Sequence, residues 1–66
     1  MKVFANGNST EVPEETSLVD FLRSRGQEPG RVVVERNGVA LAPSEISGIS
    51  LEEGDRLEIV RIVAGG

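Results

Sequence analysis

Five short strand-like segments and one amphipathic helix, with the helix between two hairpins, predict an α+β fold in which the helix lies across one face of a mixed sheet. Three observations predict it. Asn6-Gly7 and Asn37-Gly38 each stand between short β-prone runs, as in tight hairpins. Between them, Leu18, Phe21 and Leu22 follow the i, i+3, i+4 spacing of a helix stripe aimed at a core. The chain then reaches a third β-rich run, "RLEIVRIV" at 56–63.

Each element has its own signals. "MKVFA" is the first strand, and "NGN" at 6–8 supplies residues that tolerate positive φ before "STEV" returns. Ser17 with Asp20 three residues on reads as a capping box, and Glu14 and Glu15 are placed where a helix dipole favours anions. Arg23 and Arg25 precede Gly26 as a stop signal, while Asp20, Arg23 and Ser24 take the wet side. After a loop carrying Pro29 and Gly30, "RVVVERNGVAL" reads as a second hairpin with a type I′ turn. "APSEISGIS" is turn-rich, with room for one helical turn. Leu51 and "EEGD" then lead through a Gly54-Asp55 turn into the last strand, 56–63. No linker, repeat or low-complexity segment divides the chain, so residues 1–66 read as a single domain.

Composition limits what such a chain can do. With 66 residues, 38% hydrophobic, it has room for one thin core and little room for a deep catalytic cavity. It has no Cys and no His, so a disulfide framework, a thiol nucleophile, an imidazole base and the soft ligands of zinc or iron–sulfur sites are all missing. No metal site is expected. The N-terminal stretch matches neither a signal peptide nor a membrane span, and the expected setting is the reducing cytoplasm. Net charge is −4, from eleven acidic and seven basic residues, which disfavours nucleic acid. An acidic surface suits a basic partner, and it equally serves to keep a small protein in solution.

An enzyme in its own right is not expected. Glu14 with Glu15, and Glu52 with Glu53, are adjacent near turns rather than convergent. "NST" at Asn8 matches a glycosylation sequon but reads as turn chemistry in a chain without a secretory signal. There is no phosphate-binding loop, so any ATP chemistry would belong to a partner.

The last strand is more informative. Leu57 and Ile59 alternate with Arg56 and Glu58 and point to the core, so by the same period Val60 and Ile62 point out of it. Followed by Val63 and Ala64, they form an exposed apolar patch suited to a partner, unless the strand is covered on both faces or a bulge restores the phase. Beyond the patch come Gly65 and Gly66. Without Cβ atoms these could thread a narrow channel, leaving the terminal carboxylate as the reactive group, a nucleophile toward an ATP phosphate held by another protein. Taken alone, the two glycines fit a frayed or truncated end better.

Taken together, "VVVERNGV", "LEEGDRLEIV" and the closing "GG" resemble the ubiquitin-like sulfur-carrier family, its ThiS branch most closely. The resemblance covers nearly the whole chain, and its most specific part is Leu51-x-x-Gly54-Asp55-x-Leu57 running through to Gly66. It implies a β-grasp fold: a mixed five-strand sheet with one main helix across one face. It also implies a flexible tail, 65–66, whose Gly66 is adenylated by a ThiF- or MoeB-like enzyme using ATP with magnesium, no cofactor being held by this chain. Sulfur from a cysteine desulfurase or another source then makes a thiocarboxylate, which an acceptor such as a thiazole synthase consumes in thiamine biosynthesis. Gly65 and Ala64 form the tail behind Gly66, and Val60, Ile62 and Val63 the partner-binding face. The MoaD branch is similar, but its members tend to be longer with prolines before the tail, and "RIVAGG" has none.

Three other readings stand beside it. The sulfur could go to molybdopterin, or to cysteine or homocysteine synthesis. The chain could be a ubiquitin-like modifier attached to other proteins through Gly66. It could also be a noncovalent β-grasp interaction module with an incidental tail.

Overall fold

The computed structural model describes residues 1–63. Strands β1 (Lys2–Ala5) and β2 (Asn8–Glu11) form the first hairpin, followed by helix α1 (Leu18–Ser24). A 3-10 turn (Pro29–Arg31) leads into β3 (Val32–Arg36), then β4 (Val39–Ala40), a one-turn helix α2 (Pro43–Ile46) and β5 (Arg56–Arg61). The strands make one five-stranded sheet in the order β2-β1-β5-β3-β4. β5, late in the chain, therefore lies at the sheet's centre. It runs parallel to β1 and antiparallel to β3, so the sheet is mixed as the sequence predicts.

Both hairpins turn where the Asn-Gly pairs predict. Asn6 and Gly7 take φ of 48° and 85°, and Asn37 and Gly38 take 52° and 83°. Positive φ at both central positions is the type I′ geometry that matches strand twist. It joins Ala5 to Asn8 and Arg36 to Val39 with no extra residue.

Helix α1 is capped at both ends. The Ser17 hydroxyl oxygen accepts from the Asp20 amide at 3.0 Å. At the far end Gly26 N–H donates to the Arg23 carbonyl and Gln27 N–H to the Leu22 carbonyl, both at 2.9 Å, with Gly26 at φ 74°. Those paired bonds are a Schellman motif, which stops the helix. Glu14 and Glu15 lie ahead of the Ser17 cap as the sequence has them, outside the helix's first turn, and Glu15 stands in a turn at φ 67°. The acid in the first turn is Asp20 alone, because Ser17 is the residue whose side chain can cap. The extended segment before the helix instead pairs with the chain ahead of β5, through Leu51 N–H to Thr16 O (2.9 Å) and Leu18 N–H to Ile49 O (3.0 Å).

The core lies between α1 and one face of the sheet. Leu18, Phe21 and Leu22 pack with Val3, Ala5, Val32, Val34, Leu57 and Ile59, and Ile46 and Leu51 close one end. Each large side chain so buried is worth about 1.5–3 kcal/mol relative to exposure. Helix α2 is the single turn expected within 42–50. The Glu45 carboxylate accepts from the Ala42 amide at 2.6 Å, and the Glu45 amide donates to the Ala42 carbonyl at 2.8 Å; Ala42 has no side-chain oxygen, so α2 has half a capping box. The last strand stops at Arg61 rather than 63, although Ile62 N–H still donates to the Arg31 carbonyl at 2.8 Å.

Candidate functional site

The sheet's outer face, opposite the helix, carries the candidate site. Along β5 the core receives Leu57 and Ile59, which turns Arg56, Glu58 and Val60 outward by the two-residue period. On β3, Val32 and Val34 go inward, so Val33 and Glu35 go outward. The register sets Val33 directly opposite Val60 and Glu35 directly opposite Glu58. Val33, Val60 and Ile62 are 50, 63 and 53% exposed, a run of apolar surface along the end of β5, and Val63, just past the strand, is 80% exposed. Among the described residues no layer covers it.

Of the residues singled out in the sequence, Val60 and Ile62 lie on this face, and Val63, just past the strand, is exposed. Ala64, Gly65 and Gly66 lie outside the described residues. Two members of the face were missed. Val33 sits inside an unbroken valine run, which reads as uniformly strand-like, and it can be assigned outward only once Val32 and Val34 are known to be inward. Glu35 was hidden for the same reason.

Beside the apolar run, the loop from Gly26 to Arg31 and the end of β5 at Arg61 and Ile62 enclose a shallow pocket of about 170 Å³. Gln27 contributes to its wall, and its Oε1 is buried without a hydrogen-bond partner among the described residues. At the other end of β5 the outer face is closed by Arg56, whose guanidinium lies 4.6 Å from the centre of the Phe4 ring.

A buried polar cluster fixes the start of β5. Asp55 is 4% exposed, and its Oδ2 accepts from Arg36 Nε (3.0 Å), Arg36 Nη2 (2.9 Å) and the Glu52 amide (2.9 Å). Asn37 Nδ2 donates to Oδ1 at 3.0 Å. Burial alone pushes this carboxyl's pKa up, but the Glu52 amide, Arg36 and Asn37 together outweigh it, and the pKa lies below the ordinary value of 3.8. The sequence showed a Gly54-Asp55 turn and gave no hint that its aspartate is interior.

Glu52 and Glu53 turn to different partners. Glu52 Oε2 accepts from Arg36 Nη2 at 3.1 Å, and Glu53 Oε1 from the Lys2 amide at 3.0 Å. Among the described residues no three His, Cys, Asp or Glu side chains gather to hold a metal, and no helix is long and apolar enough to cross a membrane.

A central last strand, parallel to the first, with one main helix crossing one face of the sheet, defines a β-grasp domain of the ubiquitin-like class. Residues 2–66 match the ThiS family, and the chain belongs to that family of sulfur carriers. The crystal structure of the thiamine biosynthesis protein ThiS from Geobacter metallireducens superposes with a TM-score of 0.81 at 25% identity, covering all of both chains. A solution structure of a thiamine biosynthesis protein from the same organism gives 0.77 at 23% identity over the whole of this chain and 88% of that one. Among curated proteins, thiazole synthases of Magnetococcus marinus and Paramagnetospirillum magneticum are 32% and 30% identical over all 66 residues. This chain spans about one fifth (20%) of the length of those two relatives.

Proposed function

We propose that this chain carries sulfur as a thiocarboxylate on Gly66. A ThiF- or MoeB-like enzyme supplies ATP and the catalytic residues. The Gly66 carboxylate attacks the α-phosphorus, pyrophosphate leaves, and an acyl adenylate remains. Sulfide then attacks the acyl carbon and expels AMP; where the source is a cysteine desulfurase, its persulfide sulfur attacks instead and a partner thiol reduces the resulting acyl disulfide, leaving the thiocarboxylate and a disulfide on the donor protein. One carboxyl oxygen has been exchanged for sulfur. The folded body contributes no reacting group to this sequence. It is held by the outer face of β5 while residues 64–66 reach the partner's active site.

The observation that carries this reading is the match to the ThiS family across residues 2–66, which includes both terminal glycines. The exposed Val60, Ile62 and Val63 at the root of that segment support it. A thiazole synthase is the acceptor we propose, because curated relatives with that name contain a segment matching this whole chain. The same carrier chemistry would serve other sulfur acceptors.

Intact mass after incubation with ATP, magnesium, a ThiF-like enzyme and a sulfur source tests the proposal. A gain of one sulfur minus one oxygen, localised to Gly66 and absent from a Gly66 deletion, is expected. Normal loading of the deletion variant would refute the role of the terminal glycine, and failure of the full chain to load with several such enzymes would refute the carrier chemistry.

A further inference from the structure

Glu35 and Glu58 face one another across the β3–β5 ladder, both exposed, beside the Val33–Val60 pair. Asn37 N–H donates to Arg56 O at 2.7 Å and Ile62 N–H to Arg31 O at 2.8 Å. With the two-residue period of an antiparallel ladder, these bonds make 35 and 58 a hydrogen-bonded pair, whose Cα atoms stand about 5.5 Å apart. Like charges placed so are destabilising, yet among the described residues neither glutamate has an ion-pair partner. The cation nearest in sequence on that face, Arg56, is turned onto the Phe4 ring. An uncompensated anion pair therefore borders an uncovered apolar strip.

Resting on the carrier reading above, we propose that this acidic pair is a docking determinant: the outer face of β3 and β5 receives a protein partner whose apolar patch is bordered by an arginine or lysine that seats over Glu35 and Glu58. Charge complementarity selects that occupant. A cation placed between the two carboxylates relieves their repulsion on binding, so part of the strain built into the free domain is released in the complex. A second copy of this chain and nucleic acid are both disfavoured by its net charge of −4. The valines supply buried area, and the glutamates fix orientation and exclude acidic competitors.

The test measures the affinity of the full chain for a purified ThiF-like adenylating enzyme by calorimetry, at low and high salt, with pyrophosphate release followed in parallel. The double variant E35Q/E58Q should bind about tenfold more weakly at low salt, with most of that difference gone at high salt, because the lost interaction is screened. Its thermal midpoint should stay level or rise, as a merely structural role for the glutamates would not predict. If E35Q/E58Q binds as well as the native chain while both release pyrophosphate, the proposal is overturned and the carrier reading stands. Glutamate-dependent binding without pyrophosphate release would uphold the docking determinant and sink the carrier reading. No binding by the native chain, or dimers abolished by Val60→Asp, would overturn the proposal outright.

Discussion

The side chain of Asn6 exchanges two hydrogen bonds with the backbone of Ile59: Nδ2 donates to the Ile59 carbonyl at 3.1 Å, and the Ile59 amide donates to Oδ1 at 2.7 Å. The first hairpin's turn residue thereby extends the parallel β1–β5 ladder beyond its last backbone rung, Asn6 N–H to Leu57 O. Asn37 does the same from the other side, accepting from the Arg56 amide at 2.9 Å. Both turn asparagines grip the central strand.

Asn6 is therefore more than a residue that tolerates a left-handed φ. Asn6→Gly keeps the turn but loses both side-chain bonds, and should cost about 1–2 kcal/mol. In a domain of this size each kcal/mol lowers the thermal midpoint by about 4–8 °C, so calorimetry decides the matter. An unchanged midpoint would show that water replaces the asparagine without loss.

Asp55 links stability to acid. Its pKa is lowered in the folded state, so its contribution is complete above the unfolded value, near 3.8, and is lost as pH falls through the lower folded value. Asp55→Asn should destabilise by about 1.5–3 kcal/mol at neutral pH, since it removes the buried charge-assisted acceptor of Arg36 and leaves that guanidinium only the exposed Glu52 carboxylate and the Ser50 carbonyl. Denaturant melts between neutrality and strong acid should show the native and variant curves converging below that pH. Parallel curves would mean that the Arg36 interaction does not depend on the carboxylate charge.

Val60 and Ile62 should be dispensable for folding. Val60→Asp and Ile62→Asp are expected to change stability by no more than about 0.5 kcal/mol, while weakening activation by the partner enzyme. Leu57→Ala, three residues from Val60 and on the other face, should cost about 2–5 kcal/mol. Much of a total stability of about 3–10 kcal/mol would be gone. Circular dichroism melts separate the two faces, and an unfolded Ile62→Asp would put Ile62 in the core.

Gly38 is held at φ 83°, with open space where a Cβ would stand. Gly38→Ala should therefore cost about 1–2 kcal/mol from backbone strain alone, and Gly38→Asn less, because asparagine visits that region more readily. Equal losses for the two would point to a contact rather than to the backbone.

Local rules made most of the fold legible. Asn-Gly pairs set both hairpins, Ser17 and Gly26 bounded the helix, and the two-residue period of β5 divided Leu57 and Ile59 from Val60. What stayed hidden depends on residues distant in sequence. The anchoring of Asp55 requires Arg36, 19 positions away, and Asn6 reaches Ile59 across 53. Val33 and Glu35 joined the candidate site only through the register of β3 on β5, which no single strand's pattern contains. The cap at Ser17 was legible, whereas the pinning of the chain just ahead of it, through Thr16 to Leu51 and Leu18 to Ile49, was not.

The central position of β5 has a mechanical consequence. If the proposed partner loads β5 along its own axis from the Arg61 end, the pull is borne by β1 on one side and β3 on the other. Under such a load the hydrogen bonds of both ladders lie across the force and resist together, instead of parting one rung at a time as they would at a sheet edge. The domain can be towed by its end without unravelling.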